Sequence, residues 1–62
     1  MVSVKQFITT LRRIADALEQ ERATIITVRG ERVRIPQDAQ AGIEHEREGA
    51  QEEIELQLRW TR

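Results

Sequence analysis

His45 is the one histidine of the chain and stands between Glu44 and Glu46, with Glu52 a short distance further on. An imidazole among carboxylates is the raw material of general acid–base catalysis or of a metal centre. The flanking residues do not supply it, because in a strand neighbouring side chains point to opposite faces, so Glu44 and Glu46 turn away from the ring. A hydrolytic zinc site needs about three protein ligands. With no cysteine in the chain, the others would be carboxylates gathered across strands, such as Glu52. The pattern therefore predicts no metal centre and no catalytic histidine, and His45 reads as a residue on the rim of a sheet. Nucleophiles fare no better. Ser3 is placed to cap a helix, and Thr9, Thr10, Thr24, Thr27 and Thr61 have no base at a telling spacing. Gly30, Gly42 and Gly49 stand singly, without the clustering of a phosphate-binding loop. Neither an enzyme activity nor a cofactor is expected.

Charge carries more information. Arg29, Arg32 and Arg34 crowd one short segment, while Glu44, Glu46, Glu53 and Glu55 crowd another. The chain has 10 basic and 11 acidic residues and a net charge of −1, so attraction of the whole protein to nucleic acid or to an anionic membrane is not expected. No apolar run approaches the roughly 20 residues of a spanning helix. The first residues also lack the basic start, apolar stretch and small-residue cleavage site of a signal peptide, which predicts a soluble, cytoplasmic protein.

These groups must be held by a fold that 62 residues can build. Ser3 and Gln6 have the spacing of a capping box, and Val2 and Phe7 that of a hydrophobic staple, which predicts a helix over about residues 4–20. Phe7, Ile8, Leu11, Ile14, Ala15 and Leu18 form its apolar stripe, and Lys5, Arg12, Arg13, Asp16 and Glu19 the opposite side. Four β segments follow, over about residues 24–29, 32–36, 41–47 and 52–60. The first is rich in β-branched residues, and the last alternates strictly from Glu53 to Trp60. A Gly30–Glu31 turn would pair Val28 with Val33 and Ile26 with Ile35, and Pro36 ends the second strand or lies on an edge. For the second hairpin, a Glu48–Gly49 turn sets Ile43 against Ile54. A loop over Glu48–Gln51 instead sets Ile43 against Leu56 and Arg47 against Glu52. The expected fold is α+β: an N-terminal amphipathic helix packed on a four-stranded antiparallel β-meander (αββββ, two layers).

A helix of this kind, then the hairpin Val28-Arg29-Gly30-Glu31-Arg32-Val33, then proline, then an acidic hairpin closing on Leu56-Gln57-Leu58-Arg59-Trp60, resembles the amphi-Trp domain, a family of small prokaryotic proteins. The resemblance covers nearly the whole chain as one domain. The small residues from Ala39 to Gly42 depart from it by weakening the third strand. It implies an architecture and carries no active-site residues across.

The expected core comprises Val4, Phe7, Ile8, Leu11, Ile14, Leu18, Ile26, Val28, Val33, Ile35, Ile43, Ile54, Leu56, Leu58 and Trp60. For so short a chain this is thin, and self-association is the expected further source of stability. Trp60 shares the parity of Ile54, Leu56 and Leu58, which favours core over interface. In a meander the second and third strands are neighbours, so Arg29, Arg32 and Arg34 could pair with Glu44, Glu46, Glu53 and Glu55 across strands. Alternatively two copies dock basic half on acidic half about a two-fold axis. A small domain offers little concavity for a ligand pocket. The expected function is a small non-enzymatic interaction or assembly module that forms a homodimer or binds another protein, with nucleic acid at the arginine hairpin as the alternative and no membrane partner.

Overall fold

The computed structural model describes all residues from Met1 to Arg62. One helix, α1 (Val4–Glu19), precedes four antiparallel strands, β1 (Thr24–Val28), β2 (Glu31–Ile35), β3 (Gln40–Glu48) and β4 (Gln51–Arg59), so the class is α+β in the expected order. Both helix ends are closed by their own residues. Gln6 N–H donates to Ser3 Oγ at 3.1 Å while Ser3 N–H donates to Gln6 Oε1 at 3.3 Å, the reciprocal capping box. At the other end Arg22 N–H donates to Ala17 O at 2.9 Å and Glu21 N–H to Leu18 O at 3.1 Å. These are the two bonds of a Schellman motif, and Glu21 takes the left-handed position at φ 54° that glycine more often fills.

β1 and β2 form a hairpin with Ile26 opposite Val33 and Val28 opposite Glu31. The expected register is corrected by two residues, since the turn is Arg29–Gly30 rather than Gly30–Glu31. Arg29 at φ 51° and Gly30 at φ 79° both adopt positive φ, which a type I′ turn requires and which suits the strand twist. A shift of two preserves parity, so Ile26, Val28, Val33 and Ile35 still share one face and Arg32 and Arg34 the other. The helix lies on that apolar face, and Arg13 Nη2 donates to Ile25 O at 3.1 Å to tie α1 to β1.

In the second hairpin Ile43 faces Leu56 and Arg47 faces Glu52, the second of the two expected registers. It closes through a tighter turn, Gly49–Ala50, in which Gly49 supplies φ 60° at the first central position, as in a type II′ turn.

One correction concerns the sheet. β1–β2 and β3–β4 are separate two-stranded sheets, and the meander is interrupted between β2 and β3. Pro36 has no N–H to extend a ladder, and a turn closed by Ala39 N–H on Pro36 O at 3.3 Å redirects the chain there. No Cα of β3 or β4 comes within 8 Å of one in α1, β1 or β2. The helix comes nearest β1, and the second hairpin faces helix and first hairpin across an open groove and extends beyond it as an arm, in a molecule 39 Å long and 21 Å across at its narrowest. Of the expected core only Ile35 is fully buried, together with Ala17, whose small side chain the apolar stripe had not singled out. Leu11, Ile14, Leu18, Ile26, Val33, Leu58 and Trp60 are half-buried. Val4, Phe7, Ile8, Val28, Ile43, Ile54 and Leu56 are exposed. No helix is long and apolar enough to cross a membrane.

The turn assignment has a direct consequence. Arg29→Asn relieves a strained positive φ and should stabilise the fold by up to about 1 kcal/mol, whereas Gly30→Ala should destabilise it by about 1 kcal/mol or more. Chemical denaturation checks both, and equal effects of the two changes would place the turn elsewhere.

Candidate interaction surface

Alternation along β3 and β4 sorts their side chains into two unlike faces. One carries Ala41, Ile43, Ile54, Leu56 and Leu58, and ends towards the turn in His45, Arg47 and Glu52. There Glu52 Oε2 accepts from His45 Nε2 at 2.7 Å and from Arg47 Nη2 at 3.2 Å. Glu44 and Glu46 lie on the other face, as strand geometry requires. The carboxylate nearest His45 is therefore shared with a guanidinium, a fixed positive charge where a cation would have to sit. His45 and Glu52 are both about half exposed, and the trio makes a polar, mutually satisfied patch near the tip of the arm.

The opposite face of the arm is acidic. Glu44 stands directly across from Glu55 and Glu46 across from Glu53. Carboxylate oxygens of Glu46, Glu53 and Glu55 lie within 4.8 Å of one another. Like charges in facing positions oppose the ladder that holds them.

Arg29, Arg32 and Arg34 are exposed on the first hairpin, and none makes a side-chain hydrogen bond or an ion pair. The ion pairs of the molecule are those of Glu52 with His45 and Arg47. The expected Arg–Glu pairing across neighbouring strands is thus not formed, because β2 and β3 are not neighbours in a sheet. The structure brings the basic residues together on one hairpin and the acidic residues on the other, but not to each other.

Between the helix-covered hairpin and the base of the arm runs an apolar groove of about 490 Å³. Phe7, Leu11 and Ile14 come to it from α1, Val28 and Val33 from the first hairpin, and Ile43, Leu56 and Trp60 from the arm. Its remaining lining includes Thr10 and Gln57 but no titratable side chain, so it can bind apolar surface, and the Thr10 hydroxyl has no acid or base beside it in the lining. Expectation erred here twice: the chain does form a sizeable concavity, and several residues read as core line an open groove. The groove opens because the two hairpins are separate sheets, and no periodicity in the sequence marks that separation.

The acidic ladder yields a simple test. Glu53→Lys, opposite Glu46, should stabilise the fold by about 0.2–1 kcal/mol at low ionic strength, with the effect shrinking as salt is added. Thermal melts at two salt concentrations measure it, and a loss of stability would mean that the carboxylates are not repelling one another.

Comparison with family models, with curated proteins and with solved structures finds no match to this chain.

Proposed function

We propose that this protein is a non-enzymatic assembly module whose immediate activity is self-association. One observation carries the reading. The chain of 7.2 kDa exposes 5956 Å². A compact monomer of that mass exposes about 4,100 Å². The surplus of about 1,800 Å² on one chain exceeds the roughly 800 Å² per partner of a standard interface and falls in the range of obligate homodimers, roughly 1,000–2,500 Å² per partner. Shape agrees with area: the radius of gyration is 13.1 Å, against about 10.5 Å for a compact domain of this length. A chain with no cysteine and only 2 fully buried residues has no disulfide or thiolate-bound metal to compensate, which makes a second copy the economical source of stability.

Sedimentation equilibrium across a dilution series should give twice the 7.2 kDa chain mass at micromolar concentration. The melting temperature should rise with protein concentration, because association then contributes to folding stability. A monomer with a cooperative melt independent of concentration would reject the proposal.

A second reading draws support from the unpaired arginines. The acidic residues lie on a separate hairpin from Arg29, Arg32 and Arg34, so they need not repel a phosphate backbone laid across the first hairpin. On this reading the protein retards duplex or single-stranded nucleic acid at low salt, and added salt or Arg32→Glu abolishes the shift. Absence of any retardation at low salt removes it.

A further inference from the structure

Resting on the self-association proposed above, we infer that the β3–β4 arm of one copy lies in the apolar groove of a second copy, and reciprocally, about a two-fold axis. Each copy offers both halves of such a contact on one continuous surface. The concave half is the groove of about 490 Å³, with Phe7 at 47% exposure on its wall. The projecting half is the apolar face of the arm, where Ile43 is 74%, Ile54 63% and Leu56 50% exposed. Ile43 and Leu56 form part of the groove, whereas Ile54 lies outside it. Ile54 is paired with His45, about 13 Å further along the arm than Ala41.

A two-fold axis that sets the projecting half of each copy on the concave half of the other satisfies the isologous condition, in which every contact occurs twice. The apolar zone ends at His45, Arg47 and Glu52, whose mutual bonds leave a satisfied polar border of the kind that rims an interface core.

The exposed area is large enough for this occupant, and reach separates it from smaller ones. A surplus of about 1,800 Å² per copy becomes about 3,600 Å² for two, within the range of obligate homodimers. A small apolar ligand or a short peptide could fill the groove but would leave Ile54 in water. A membrane surface is opposed by Glu44, Glu46, Glu53 and Glu55 on the back of the same arm. Docking through apolar faces also differs from docking of basic on acidic faces in its response to salt: the first persists in molar salt and the second dissociates.

The full chain has no cysteine, which permits a direct trap. Phe7 and Ile54 lie on elements whose Cα atoms are all more than 8 Å apart within one copy. A disulfide spans about 4.4–6.8 Å between Cα atoms, so one between these positions must join two copies. Mixing the single variants Phe7→Cys and Ile54→Cys under mild oxidation should give the mixed disulfide as the main product. A predominance of the Ile54→Cys homodimer would place arm against arm and overturn the inference. In parallel, Ile54→Lys should raise the dimer dissociation constant at least about 30-fold, while Arg32→Glu and molar salt leave it unchanged. If Ile54→Lys fails to fold, the disulfide trap decides. A parent that is dimeric, with neither a mixed disulfide nor any response to Ile54→Lys, would reject the arm-in-groove contact and leave self-association standing. A parent that is monomeric at every concentration would remove both.

Discussion

Closing an apolar surface is the constraint on which the rest of this molecule turns. In a chain of 62 residues the ratio of surface to volume is already unfavourable, and here the elements do not stack into a single pile. One helix covers one hairpin, and the burial they achieve centres on Ala17 and Ile35. Every other apolar side chain keeps part of its surface in water. Hydrophobic burial is the main favourable term in folding, at about 25 cal/mol per Å². The self-association proposed above would restore part of what this layout forgoes. Isolated two-stranded hairpins and single short helices are marginal in water for the same reason.

Legibility in the sequence followed how local the determining interaction was. The helix start was readable because Ser3 and Gln6 complete each other's hydrogen bonds within one turn, and the structure contains both bonds. Strand faces were readable because parity survives a register shift of two: Val28, Val33, Ile26 and Ile35 fall on one side whichever turn is used. Register itself was not. Gly30 permits positive φ at either central position of a turn, and only the backbone of Arg29 reveals that the glycine takes the second. Least legible was the relation of β2 to β3, which depends on no periodicity at all. Four residues joining two strands fit a continued meander as well as a break, and Pro36 was readable as a strand end without indicating where the next strand would go.

The same break explains the charges. On a continuous sheet the arginines of the first hairpin and the glutamates of the second would have been neighbours, each exposed pair worth roughly 0–1 kcal/mol. Separated, the arginines stand unpaired, and Glu44, Glu46, Glu53 and Glu55 face one another across β3 and β4. Repulsion within that ladder is modest because the groups are solvated, yet it works against the pairing that holds the arm together. The apolar face of the arm must therefore supply its stability, and that face is the one left in water. Both faces of the arm thus favour the proposed contact, in which a second copy covers Ile43, Ile54 and Leu56.

Pro36 then has a role beyond ending a strand. Had β3 paired with β2, the second hairpin would have lain against the helix stripe of its own chain, Phe7 and Leu11 would have met Ile43 and Leu56, and one closed domain would have resulted. Because the ladder stops at Ile35 and the turn from Pro36 to Ala39 redirects the chain, those two surfaces are held apart with a groove between them. Complementary surfaces that cannot meet within one copy remain free to meet between copies, as in domain exchange, where contacts of a closed monomer are remade intermolecularly. An arm that lies in the groove of a second copy restores, between two chains, the helix-on-sheet packing that the interrupted meander denies to one. The sequence periodicities that predict a single two-layer sandwich and the proposed reciprocal dimer are then two expressions of one apolar pattern, and the short connection around Pro36 decides which of them the chain adopts.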